Sequence, residues 1–254
     1  MKVLTICPTY GRLPYLGRFV ASFLSQTHTN SDLVIINDDS NINVVCDIDR
    51  VTVININKKQ LVDTKRNIGA IMGLEYDLIM PWDDDDIFLP SQIEYHVQKF
   101  KENPDIELFR NTQCFITYNN AFDRSTNSPN SIAYTPSAYL KYGAYNHFLK
   151  DGAGDASFYN KISNKLIVDE PEHAYFVYNF SGVNYHLSSN GNEDNIVNIA
   201  TQQREKLNIS GTYVIEPDFE EFKKFIDLSQ RVINGERNIQ VSFEETPKTV
   251  KLIY

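Results

Sequence analysis

Leu78-Ile79-Met80-Pro81-Trp82-Asp83-Asp84-Asp85-Asp86 is a hydrophobic run that passes straight into four consecutive carboxylates. Residues 77–80 read as a β-strand, and the same layout recurs upstream. Residues 3–7 form an apolar run that ends at Pro8 and opens into Tyr10-Gly11-Arg12, and residues 33–36 open into Asn37-Asp38-Asp39-Ser40-Asn41. Residues 51–56 read as one more strand. Between these runs, Leu13, Leu16, Val20, Phe23 and Leu24 recur at helical spacing, and so do Leu61, Thr64, Ile68, Ile71 and Met72. Helices alternating with short apolar strands predict an α/β fold whose parallel sheet is joined by crossover helices. Such sheets bind ligands at the carboxyl ends of their strands. The clusters at 8–12, 37–41 and 83–86 each follow a strand, so they should converge on one edge.

The composition narrows the class. The chain has 254 residues, 24 basic and 33 acidic side chains, a net charge of −9 and 42% hydrophobic residues. That apolar content excludes a disordered chain, and eleven Gly with ten Pro exclude a collagen-like one. The acidity argues against a surface built to grip nucleic acid, which needs clustered Lys and Arg. No run approaches the ~18 apolar residues of a membrane span. Three widely spaced cysteines, Cys7, Cys46 and Cys114, make neither a disulfide framework nor a zinc site. A cytoplasmic setting without a secretory leader is the expectation.

Downstream, Pro90 opens a helix with Ile93, Val97 and Phe100 inward, and residues 106–118 read as two strands. The polar stretch 119–130 reads as a mobile loop. Residues 155–162 read as a short helix, 175–178 as a strand and 193–207 as a polar-faced helix. After about residue 210 the character changes: Phe219, Phe222, Phe225 and Ile226 mark an amphipathic helix, and 239–243 and 250–253 are strand-like. The expected division is a catalytic-sized domain over 1–210 and an appendage over 211–254.

Crowded carboxylates beside a buried strand are costly unless a cation or hydrogen-bond donors compensate them. Hard divalent ions such as Mn²⁺ or Mg²⁺ prefer such oxygen ligands and often share them with phosphates. The blocks Pro8-Thr9-Tyr10-Gly11-Arg12, Ile36-Asn37-Asp38-Asp39-Ser40, Lys65-Arg66-Asn67-Ile68-Gly69 and Trp82-Asp83-Asp84-Asp85-Asp86 with Pro90 follow one another in an order and spacing that resembles the family 2 glycosyltransferases. Leu24-Ser25-Gln26-Thr27 also looks like the end of that family's first helix. The resemblance is clear over about residues 1–90 and patchy to about 190. It implies a GT-A fold with a metal-binding Asp-x-Asp motif. It makes Asp85 the principal metal ligand, Asp83 the other Asp of the motif, and Asp84 a contact to ribose or metal-bound water. Pro8 and Tyr10 would line the nucleotide base, Asp38 would accept a hydrogen bond from it, and Arg12 and Arg66 would contact the donor. Asn37 stands where an Asp is usual, which leaves Asp39 as an alternative reader of the base.

The second half must supply a base. Asp155, in Asp151-Gly152-Ala153-Gly154-Asp155, resembles the family's catalytic acid, with Gly154 in place of the usual Glu. A carboxylate there can take a proton from an acceptor hydroxyl. Asp151 is its competitor, and an ordinary helix cap is the plainer reading. His186 resembles the family's late histidine, which can join the metal, with His173 as rival. The implied activity is an inverting, metal-dependent transfer of a sugar from a nucleotide-sugar, a UDP-sugar by resemblance, to an acceptor hydroxyl. The alternatives are a sugar nucleotidyltransferase, which would want a Gly-rich phosphate loop after the first strand, and a nucleotide- or cation-binding protein without turnover. A glycan is the family-level acceptor. A nucleic-acid base is disfavoured by net charge, and Tyr139, Tyr142 and Tyr145 are candidate acceptor contacts.

Overall fold

The computed structural model describes residues 1–126, 131–146, 154–179, 197–198, 200–202, 204–205 and 209–241. The central sheet takes β1 (Val3–Thr9), β2 (Ser31–Asn37), β4 (Val51–Asn55), β5 (Leu78–Pro81), β7 (Leu108–Asn111), β10 (Ile132–Tyr134) and β11 (Lys165–Val168). Their order is β11-β7-β10-β5-β1-β2-β4. All pairings are parallel except those of β10, which runs against β5 and β7. A second sheet has the order β14-β9-β8-β12-β6, built from β6 (Ile87–Phe88), β8 (Cys114–Tyr118), β9 (Ala121–Ser125), β12 (Phe176–Asn179) and β14 (Ile239–Gln240). β3 (Ile42–Val45) pairs with β13 (Gly211–Val214).

Register places the polar clusters together. Thr9 stands beside Asn37 across β1 and β2, and Ile6 stands beside Pro81 across β1 and β5. The three strands therefore release their loops at one edge. From β1 the chain goes on to β2 and β4 on one side and later returns to β5 on the other, so the order reverses there and a crevice opens between the β1 and β5 loops.

The helices follow from apolar spacing and local caps. α1 (Leu13–Leu24) has Pro14 in its first turn and buries Leu13, Leu16, Phe19, Val20 and Phe23. α3 (Gln92–Glu102) buries Ile93, Val97 and Phe100, as the spacing predicts. α4 (Pro136–Tyr142) is capped by Thr135, whose side chain accepts from the Ala138 N–H, and α5 (Gly154–Lys161) follows. The late amphipathic helix spans Phe219–Ile233, capped by Asp218, with Phe222, Phe225 and Val232 buried. It packs across α1, and its Glu221 pairs with Arg18 of α1 at 3.0 Å. No described helix is long and apolar enough to cross a membrane.

Two expectations change. The segment 119–130 is not one loop: Asn119 and Asn120, at φ 49° and 59°, make a two-residue turn that returns β8 into β9, and residues 127–130 lie outside the described residues. Asn tolerates the left-handed backbone such a turn demands. The second change is the face of α2 (Val62–Met72). Ile71 is 58% exposed and Leu61, just before the helix, is 49% exposed, while Asp63, Lys65, Arg66, Gly69 and Ala70 are buried. Gly69 decides this. A Cβ there would lie 2.6 Å from Cγ2 of Ile6, so the helix backbone rests directly on β1 and turns its charged residues toward the strand-end crevice. The strand-like run 250–253 lies outside the described residues, and of the helix read over 193–207 the described residues are helical.

Candidate active site

The acidic run is held at both ends by aromatic packing. Trp82 stacks on Phe88 with ring centroids 3.9 Å apart and planes 3° from parallel, and Phe19 meets Trp82 edge-on at 6.2 Å. The four carboxylates are thus drawn into a tight loop whose ends cannot separate without opening that stack.

Each carboxylate faces a different way. Asp83 Oδ1 accepts from Arg66 Nη2 at 3.1 Å. Asp84 accepts from Thr9 Oγ1 at 2.5 Å and from Arg12 Nη1 at 2.7 Å. The same Arg12 nitrogen lies 2.9 Å from Asp85 Oδ1, so Arg12 bridges the two acids. Asp86 Oδ1 accepts from the backbone N–H of Asn179, which ends β12. The Asp85 carbonyl accepts from Arg18 Nη2 and Asn179 Nδ2, both at 3.1 Å. The Oδ2 atoms of Asp85 and Asp86 are buried with no donor among the described residues. Burial pushes the Asp85 carboxyl up to about 6, with Arg12 opposing and Asp84 and Asp83 adding to the rise. Burial and the neighbouring Asp85 likewise push Asp86 well above the carboxylate range.

On the nucleotide side, Asp38 is wholly buried. Its Oδ1 accepts from Lys65 Nζ at 2.6 Å and its Oδ2 from the Gln60 N–H at 2.6 Å. Lys65 also donates to the Thr9 carbonyl at 2.9 Å; burial pulls its ammonium down in pKa and Asp38 resists. Asp39 pairs with Arg204. Pro8 is buried in β1, and Tyr10 is half-buried beside it with the Lys59 ammonium 5.4 Å from its ring. Gly11, at φ +63°, lets the helical stretch carrying Ala200 and Arg204 sit on the loop, since a Cβ there would lie 2.4 Å from Cβ of Ala200.

Arg66 joins the two halves. Its buried guanidinium reaches Asp63 at 3.3 Å, Asp83 at 3.1 Å and Asp155 at 3.7 Å. Asp155, in the first turn of α5, keeps a quarter of its side chain exposed. One cation therefore ties α2, the acidic run and the base candidate. Asp151 and His186 lie outside the described residues. His173 sits with Glu170 and Glu172, the set of three ligand-type side chains that converges among the described residues; Glu170 is already engaged by Lys99 at 2.8 Å and by the Tyr95 hydroxyl at 2.6 Å. Tyr139 and Tyr145 are buried in the core with Phe158, and Tyr142 bonds Glu107, so these rings serve packing here.

A match to the family described as glycosyl transferase family 2 covers residues 5–170, more than half of the chain. The chain belongs to that family. A relative from Haemophilus influenzae, described as an uncharacterized glycosyltransferase, is 31% identical over 113 residues, covering 43% of this chain and 38% of its own length. Among solved structures, a fragment of S. aureus TarS in complex with UDP-GlcNAc superposes with a TM-score of 0.59 at 13% identity, over 92% of this chain and 72% of that one. A longer TarS chain gives 0.55, again at 13% identity, with 92% of this chain spanning 44% of it. The chain thus spans less than half the length of the curated relative and of the longer TarS chain. The fold of this family 2 member is the GT-A arrangement its motifs imply.

Several residues that build the site carried no signal by themselves. Lys65 and Asp63 flank a recognised Arg, and only their i,i+3 and adjacent positions on α2 hinted at a role. Thr9, Arg18, Asn179 and Arg204 come from distant segments and meet the acids only through the fold.

Proposed function

We propose that the protein is a metal-dependent, inverting glycosyltransferase that moves a sugar from a nucleotide-sugar, most simply a UDP-sugar, to an acceptor hydroxyl. The observation that carries this reading is the meeting, through Arg66, of the acidic run after β5 with Asp155 at the start of α5. The family supports sugar transfer, and the likeness to a TarS fragment solved with UDP-GlcNAc suits a uridine diphosphate donor.

The donor set fits a divalent cation, Mn²⁺ or Mg²⁺. Among the described residues Asp85 keeps a buried oxygen without a donor, and Arg12 alone bridges Asp84 and Asp85 while Arg66 meets Asp83. Asp85 would be the main ligand, joined by His186, with Asp83 and Asp84 beside it. When bound, the ion supplies positive charge to the donor's diphosphate. Arg12, now bridging Asp84 and Asp85, is placed to turn its guanidinium toward the same phosphates. Asp155 takes the proton from the acceptor hydroxyl as that oxygen bonds the anomeric carbon. The bond from that carbon to the diphosphate breaks on the opposite face, so configuration inverts. Pro8 and Tyr10 would line the base. Asp38 would act on it through the segment its Gln60 and Lys65 bonds hold in place.

We read residues 1–210 as the catalytic domain and 211–254 as an appendage that braces it, because Glu221 holds Arg18 and Arg18 holds the Asp85 carbonyl. The three thiols, none in a disulfide, suit a cytoplasmic setting. The bridging Arg12 also favours one rival, a nucleotide-binding protein without turnover. Mass detection of products from a panel of nucleotide-sugars and glycan acceptors, with and without Mn²⁺, separates the two. Metal-dependent transfer that is lost in Asp85→Ala is the expected result; nucleotide binding without transfer by any donor supports the rival.

A further inference from the structure

α5 begins with Gly154, and its missing side chain is where another residue's carboxylate sits. A Cβ built on Gly154 would lie 1.6 Å from Oδ2, 2.3 Å from Cγ and 2.8 Å from Oδ1 of Asp63. The overlap is with the whole carboxylate, so a side chain at 154 and Asp63 in this position exclude each other. Asp63 is 3% exposed, stands in the first turn of α2, and is followed one turn later by Arg66 on the same face. A negative charge suits a helix N-terminus, and residues three apart on a helix meet.

We propose that Asp63 is a positioning residue for Asp155, and that positions 63 and 154 form one carboxylate site supplied here from α2 rather than from α5. This rests on the reading of Asp155 as base. Arg66 lies between three carboxylates, and its contact with Asp155 is the longest of them, 3.7 Å against 3.3 Å to Asp63 and 3.1 Å to Asp83. Asp83 takes Nη2, while Asp63 and Asp155 share Nη1, and Asp63 holds that nitrogen the more closely. Asp155 thereby keeps a lone pair for an acceptor proton instead of spending it on a close ion pair. Remove Asp63, and the guanidinium loses the partner that draws it away; it closes on Asp155, and the base is occupied.

The test moves the carboxylate. Asp63→Ala, Gly154→Glu and the double variant Asp63→Ala/Gly154→Glu are compared with the wild type by thermal melts and by kcat and donor KM. Asp63→Ala should lower kcat on the order of 10-fold or more with donor KM nearly unchanged, since positioning and not donor binding is lost. Gly154→Glu alone should lower Tm, because its Cβ then competes with the Asp63 carboxylate for one space. The double variant should recover both Tm and kcat toward the wild type. Asp63→Asn, which keeps the shape and drops the charge, carries the kinetic test should Asp63→Ala not fold. A double variant no better than its single parents in Tm or kcat would overturn the proposal, as would a Gly154→Glu chain that melts like the wild type. Asp155→Asn is assayed in parallel. If it retains full turnover, the base reading fails, while the Tm comparison of the 63 and 154 variants still reports whether the two positions share one site.

Discussion

Asp85→Asn offers a direct measure of what the acidic run costs the fold before any cation arrives. The carboxyl sits at about 6 against an ordinary 3.8. A raised folded-state value means that the folded protein holds the proton more tightly than the unfolded chain. Stability is then fully present below pH 3.8, falls as pH rises through the window up to about 6, and is flat above it. At about 1.4 kcal/mol for each pH unit, the raised value lowers stability by on the order of 3 kcal/mol at pH 7.5, where Asp85 is ionised, and by roughly half of that at pH 5, where the folded protein keeps the proton that the unfolded chain has lost. Asn removes the charge but weakens one contact with Arg12, a loss of about 1 kcal/mol. The net expectation in chelator-treated protein is a gain of about 1–2 kcal/mol at pH 7.5 that shrinks to near zero at pH 5. Urea melts of both proteins at the two pH values measure it, with matching slopes confirming that the unfolded states are alike. Adding Mn²⁺ should then stabilise the wild type and leave the variant where it was. A variant destabilised equally at both pH values would refute the reasoning, because Asp85 would then be held by bonds that outweigh its burial.

Asp155→Asn should keep the fold and the donor KM while kcat falls about 10²–10⁴-fold, the usual worth of a general base, and NMR of the product's anomeric proton should show inversion in the wild type. Asp38→Ala leaves Lys65 buried without its 2.6 Å partner, so the protein should lose about 3–5 kcal/mol in urea melts. Asp38→Ala/Lys65→Met should regain that stability yet still discriminate UDP from GDP less sharply in calorimetry than the wild type does. Gly69→Ala pushes a methyl into Ile6, so despite better helix propensity it should cost about 1–2 kcal/mol and lower turnover by shifting Lys65 and Arg66 one turn away.

The fold class was legible because it rests on local periodicity. Short apolar strands over 3–7, 33–36 and 77–80 alternate with helical stripes, and the only regular way to bury both is a parallel sheet with helices against it. The same logic brought three polar clusters to one edge, since strands that run in the same direction must end on the same side. The helix over Phe219–Ile233 was legible for the same reason, its aromatic residues recurring on one face.

What the sequence could not determine is which partner each charge takes. The apolar stripe of α2 pointed to the wrong face, because the face that packs is set by the absence of a side chain at Gly69, a steric fact about Ile6 four strands of sequence away. Asp38, Asp39, Asp84 and Asp85 read as free ligands in the sequence. In the fold they are paired with Lys65, Arg204 and Arg12, because buried charges must be compensated by whatever cation the topology delivers. Gly154 read as a lost carboxylate, and only the packing of α2 on α5 put Asp63 in its place. Local pattern determines the elements and the edge where they end. Close packing and charge compensation between residues far apart in the chain decide the site, and neither is written in any single stretch of sequence.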